Sequence, residues 1–147
     1  MLKKKLVIMT NFDKNENLVL DTCCFFCLTE QETGYENMEL ILQKAFDRRL
    51  TLYMSRVNYC EIIYQIKRLE DALYKTARDF LDSLPITYVD TNKEIVEFAS
   101  DVKTKAKISL GDAFAIGTAM YLKCPVATID RHEFSKWEND VEILWLR

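Results

Sequence analysis

Four acidic side chains are the candidates for chemistry in this chain. Asp21 ends the apolar run Leu18, Val19, Leu20. Glu61 sits early in a helical stretch. Asp112 follows Ser109 by three residues, and Asp130 closes the run Val126, Ala127, Thr128, Ile129. Carboxylates brought together repel one another unless a cation compensates them or some take up protons. Hard divalent ions such as Mg²⁺ or Mn²⁺ favour such oxygen ligands and keep several waters. An ion held that way can activate a water and stabilise charge on a phosphodiester. The four acids are therefore read together as a divalent-metal site for phosphodiester hydrolysis. No rival catalytic set is complete: there is a single histidine, His132, no G-x-S-x-G and no glycine-rich phosphate loop.

Each acid also has a plainer role open to it. Asp21 suits a helix N-cap, although Thr22 could cap instead. Glu61 could be an exposed helical residue, but it lies at the margin of an apolar stripe and its neighbours Tyr59, Cys60, Ile62 and Ile63 favour partial burial. Ser109 and Asp112 match a capping box. That role is compatible with metal binding, since a carboxylate in the first helical turn stays ionised at the positive end of the helix dipole. Asp130 could be a turn residue. Thr128, two residues back, would face the same side of an extended strand, so its hydroxyl could orient the Asp130 carboxylate.

The elements that must position these acids follow from periodicity. The unalternated run at 18–20 suits a strand buried on both faces of a parallel sheet. Residues 22–28 open a helix, 29–37 form a polar loop with Gly34 as its breaker, and Met38, Ile41, Leu42, Ala45 and Phe46 recur at helical spacing. A second strand is expected at 50–54. One long helix is expected within 58–84, with Ile62, Ile66, Leu69 and Leu73 as its stripe and Pro85 as its stop. A third strand falls at 86–89 and a helix at 94–105, with Ile95, Phe98, Ala99 and Val102 inward. Ser109 caps a helix running to about residue 122, and strands follow at 126–129 and 142–146. Residues 6–9 could add a short strand ahead of a polar turn at 13–17. Strands alternating with helices imply parallel βαβ units, hence a three-layer α/β/α sandwich around a mostly parallel sheet. Sites in such sheets form beyond the carboxyl ends of the strands, near a switch in strand order, which is where Asp21 and Asp130 fall.

Composition sets the outer bounds. A chain of 147 residues is long enough for one domain with a sizeable core, residues 1–17 standing as an N-terminal extension. No apolar run approaches the roughly 20 residues needed to span a bilayer. The apolar run after Lys3, Lys4 and Lys5 stops at Met9, too short for a secretory signal, so a cytoplasmic protein is expected. The five cysteines, an odd count, argue against a disulfide framework. Cys24 and Cys27 form a C-x-x-C, but no second ligand pair completes a zinc site, and small buried hydrophobes are the better reading. A net charge of −3 does not advertise a nucleic-acid binder. Nor does it exclude a metal-dependent nuclease, whose bound cations offset its carboxylates locally.

The ordered set LVLDTC at Asp21, VNYCEIIYQI at Glu61, SLGDAFAIGTA at Asp112 and VATIDRHEF at Asp130 resembles a PIN domain, in particular the VapC-type toxins of toxin–antitoxin pairs. The resemblance runs from Leu18 to the C-terminus, and the last two motifs are its most specific part. It implies a metal-dependent endoribonuclease in which Asp21, Glu61, Asp112 and Asp130 hold Mg²⁺ or Mn²⁺. Thr22 and Thr128 would support the first and last acids, and the cut would leave a 3′-hydroxyl and a 5′-phosphate. It further implies a homodimer and an antitoxin that covers the active-site groove. The residues before Leu18 and the cysteine-rich helix depart from the family pattern.

Arg131 and His132 flank the site in sequence, and Lys103, Lys105 and Lys107 precede the Ser109 helix. All are candidates for RNA phosphate contacts, with solvated surface charge as the equal alternative. Three other classes compete with this reading. A haloacid-dehalogenase-like phosphatase wants D-x-D, but residue 23 is cysteine. A receiver-type switch wants an acidic pair near the first strand and a late lysine, and neither is present. The remaining alternative is a PIN-fold RNA-binding or assembly scaffold without nuclease turnover.

Overall fold

The computed structural model describes residues 16–147. The strand expected at 6–9 and the lysines at 3–5 lie outside the described residues. Five strands, β1 (Glu16–Leu20), β2 (Leu50–Ser55), β3 (Ile86–Val89), β4 (Val126–Thr128) and β5 (Ile143–Trp145), form one sheet in the order β3-β2-β1-β4-β5. All four pairings are parallel, with Leu18 opposite Leu52 and Val19 opposite Val126. The seven α-helices among the described residues are α1 (Thr22–Thr29), α2 (Tyr35–Phe46), α3 (Arg56–Ile66), α4 (Asp71–Ser83), α5 (Lys93–Lys105), α6 (Leu110–Leu122) and α7 (Arg131–Phe134). A 3₁₀ turn at Ser135–Trp137 follows. Glu16 and Asn17, expected within the extension, already belong to β1.

The sheet is covered on both faces, which is why its central strand reads as continuous hydrophobe. Leu18 and Leu20 point into a cluster shared with Phe25 and Cys24 of α1, Met38 and Ile41 of α2, Ile62 and Ile66 of α3 and Leu81 of α4. Val19 points to the other face, into a cluster with Ala99 and Val102 of α5, Ala113 and Ile116 of α6, Phe134 and Trp137. The three layers expected from the sequence are present.

The single helix expected within 58–84 is two helices, α3 and α4, broken at residues 67–70. The α3 stripe of Ile62 and Ile66 would continue through Leu69 and Leu73, but those two are 43% and 57% exposed. α4 buries Leu81 and partly buries Tyr74 and Ala77 instead, a stripe one residue further on. One straight helix cannot present both stripes to the same core, and the break resets the phase. Phe98, expected inward, is 37% exposed.

The strand order places the switch in chain direction at β1. The chain builds outward through β2 and β3, then crosses to the other side of β1 for β4 and β5. The carboxyl ends of β1 and β4 are neighbours, and the Asp21 N–H extends their ladder to the Ala127 carbonyl at 3.1 Å.

Candidate active site

Asp21 is the residue after β1, and Asp130 lies two residues after β4. Asp112 sits in the first turn of α6, where its N–H bonds the capping Ser109 hydroxyl at 3.1 Å. Glu61 projects from α3. The four acids line one cleft of about 370 Å³ together with Thr22, Cys23, Phe26, Gln65, Ser109, Ile129 and two further acids, Glu30 and Glu32. No lysine, arginine or histidine among the described residues lines it.

Each acid is held by a specific local device. Asp21 is 2% exposed and caps α1: its Oδ1 accepts from the Thr22 N–H at 2.8 Å. Its Oδ2 accepts from the Thr128 hydroxyl at 3.1 Å and the Cys23 thiol at 3.2 Å. The Thr128 hydroxyl does not hold the Asp130 carboxylate, as the strand spacing suggests it would: it donates its proton to Asp21 and meets Asp130 only by accepting from its backbone N–H at 3.0 Å. Asp130 caps the short α7, with Oδ1 accepting from the Glu133 N–H at 3.1 Å. Thr22 donates its hydroxyl to Glu61 Oε2 at 2.9 Å.

The electrostatics are those of crowded, half-dry carboxylates. Burial raises the Asp21 carboxyl well above its ordinary value, and the neighbouring Cys23 and Asp112 add to the shift. Burial also pushes Asp112 up to about 6, against the pull of the Ser109 hydrogen bond and with help from Asp130, Glu61 and Glu133. Hydrogen bonding with Cys24 pulls the Cys23 thiol down to about 6, and Thr128 and the Ile129 N–H reinforce this against burial.

The donor set suits a hard divalent cation: six carboxylates and two hydroxyl-bearing residues face a cleft that no cationic side chain among the described residues lines. As they stand, no group of three or more His, Cys, Asp or Glu side chains among the described residues is drawn together closely enough to hold an ion. Glu61 Oε2 and Asp130 Oδ1 are turned to Thr22 and to the α7 backbone. Their second oxygens have no described partner.

The cations expected to meet phosphate are not in the cleft lining. Arg131 lies 4.5 Å from the centre of the Trp145 ring and donates to the Arg147 carbonyl at 2.7 Å. Lys103 donates to the Ile108 carbonyl at 2.6 Å. Lys105 lines a separate cavity with Phe98 and Lys123. Lys107 and His132 are exposed, two residues from Ser109 and Asp130 respectively.

Three residues at the site escaped the sequence reading. Cys23 adjoins the buried Cys24 in sequence but faces the cleft. Asn58, fully buried, donates to both the Thr22 hydroxyl and the Gly111 carbonyl at 3.0 Å each. Its Oδ1 accepts the Ser55 hydroxyl. Gly111 packs directly against Glu61. Two signals could have found these residues: Asn58 is three before Glu61, on the same helix face, and a glycine inside a helix often marks a close approach.

Residues 18–138 match the family model of the PIN domain, and the chain belongs to that family. Among solved structures, a chain of VapBC2 from Rickettsia felis bound to a promoter DNA fragment is similar at 17% identity and TM-score 0.68, covering 87% of this chain and 98% of that one. A chain of DNA-bound VapBC from Salmonella typhimurium is similar at 15% identity and TM-score 0.69, covering 90% and 99%. FitAcB from Neisseria gonorrhoeae gives 16% and 0.66, covering 88% and 97%. Comparison with curated proteins finds no match. Among the described residues, no helix is long and apolar enough to cross a membrane.

Proposed function

We propose that this protein is a metal-dependent endoribonuclease, the toxin of a toxin–antitoxin pair. The observation that carries the reading is the cleft itself: Asp21, Glu61, Asp112 and Asp130 converge from four separate segments on a cavity that holds six acids and, among the described residues, no basic side chain. PIN domains are generally nucleases, and the similar solved structures are of VapBC and FitAcB proteins.

Asp21, Asp112 and Asp130 would hold Mg²⁺ or Mn²⁺, and Glu61 would hold it or orient the attacking water. When bound, the ion supplies a Lewis acid for the phosphate and a more acidic water. The chain's own part is orientation. The Thr22 N–H and the Thr128 hydroxyl fix the Asp21 carboxylate, and the Thr22 hydroxyl fixes one oxygen of Glu61, leaving the other for a water. Lys107 and His132 are the candidates for meeting the RNA backbone at the rim. The reading places the protein in the cytoplasm and allows for a homodimer.

A protein inhibitor has a surface to use. An apolar groove of about 800 Å³, lined by Phe25, Leu42, Leu69, Leu73 and Phe80, shares Phe26, Glu30 and Gln65 with the acidic cleft. A partner segment laid along this groove would reach the cleft mouth, where a basic side chain would meet six carboxylates. The shared edge of groove and cleft is what supports the antitoxin reading.

The test is incubation of purified protein with mixed transfer and ribosomal RNA, with Mn²⁺ or with a chelator, beside Asp112→Asn. Metal-dependent cleavage that the variant loses, with its thermal midpoint kept, is the expected result. Cleavage that survives both chelation and Asp112→Asn would sink the reading. The second reading is a scaffold without turnover. It leads if the wild type binds no Mn²⁺.

A further inference from the structure

Gly111 lies at the second position of α6, where a residue with a side chain is the ordinary choice. Its backbone is not in the left-handed region. Nothing about helix geometry therefore calls for glycine, and glycine is the poorest helix former after proline. The reason lies across the interface. A Cβ built on Gly111 would collide with Oε2 of Glu61, the oxygen that accepts from Thr22, and would lie 3.6 Å from Asn58 Nδ2.

The bonds around that oxygen form a directed chain. Ser55 donates to Asn58 Oδ1. Asn58 spends one amide hydrogen on the Gly111 carbonyl, which accepts only, and so the orientation of its amide is fixed. The other amide hydrogen goes to the Thr22 oxygen, which leaves the Thr22 proton for Glu61. Glu61 is thus seated in the space a side chain at 111 would fill, beside the positive end of α6.

We propose that Gly111 is a positioning residue: its missing side chain is the seat of the Glu61 carboxylate, and Asn58 orients the hydroxyl that holds it there. This rests on the reading of the acids as a metal site, and the test separates the two. In Gly111→Ala the clash falls on the far end of a flexible side chain, so the fold survives and the thermal midpoint stays level or rises. The Glu61 carboxylate leaves Thr22.

The experiment compares wild type, Gly111→Ala, Glu61→Ala and the double variant, all full length. Two quantities are read: the carbon chemical shift of the Glu61 carboxyl without metal, and Mn²⁺ affinity by direct titration. A displaced Glu61 signal in Gly111→Ala is expected, with Mn²⁺ binding weakened on the order of 10- to 100-fold, as for lost supports of metal ligands. In the Glu61→Ala background the same change should cost nothing further. An unmoved Glu61 signal overturns the proposal, as does equal weakening in both backgrounds. A moved signal in a protein whose wild type binds no Mn²⁺ upholds the seat and overturns the metal reading alone.

Discussion

In the metal-free protein Asp112 holds its proton up to about pH 6, against 3.8 for an ordinary aspartate, because it is part-buried and faces Asp130 and Glu61. Asp21 is shifted in the same direction by deeper burial. A carboxyl raised on folding binds more protons in the folded state than in the unfolded one. Its contribution to stability is full below about pH 4 and is lost as the pH rises through about 6. The metal-free protein should therefore lose thermal stability between about pH 4 and 6, and Asp112→Asn should flatten that loss. Mn²⁺ competes with those protons, so its affinity should fall as the pH drops through about 6, with proton release measurable by calorimetry in buffers of different ionisation heat. At this scale the acids were legible because each sits at a recognisable boundary: a strand end, a capping box, a stripe margin. Asn58 and Gly111 were not, because their roles exist only once α1, α3 and α6 meet. Cys23 was masked by two buried cysteines on the same helix.

Gly111 and Gly117 occupy one helix and answer oppositely to the same substitution. A Cβ at Gly117 would stand 2.9 Å from the Ala99 backbone nitrogen and 3.2 Å from its Cα. Backbone cannot swing aside as a carboxylate can, so Gly117→Ala should force α5 and α6 apart. A loss of about 1–3 kcal/mol is expected, read from denaturant unfolding. Cleavage should be affected only in proportion to the fraction unfolded. The strands were readable from the sequence almost to the residue, since a sheet buried on both faces leaves short apolar runs between turn signals. The broken helix was not. Residues 67–70 contain neither glycine nor proline, and the break comes from a change of stripe that only the core makes visible.

On the scale of the whole molecule, the acidic cleft and the apolar groove share an edge, so anything lying in the one would reach the other. Leu73, 57% exposed in the groove, should tolerate Asp without loss of fold or RNA cleavage. If an antitoxin of the proposed kind anchors on Leu73, the same variant should resist inhibition by it at least about tenfold better. Equal inhibition of both forms would place the partner elsewhere. The layers and the sheet's carboxyl edge could be read in advance, but the groove could not, because Leu69 and Leu73 looked like core. The strand order has one more consequence. Asp21 and Glu61 are made well before Asp112 and Asp130, and β4 must slot beside β1 before the cleft closes. A growing chain that stops short of Asp130 therefore has no complete cleft, however much of the sheet it has already built.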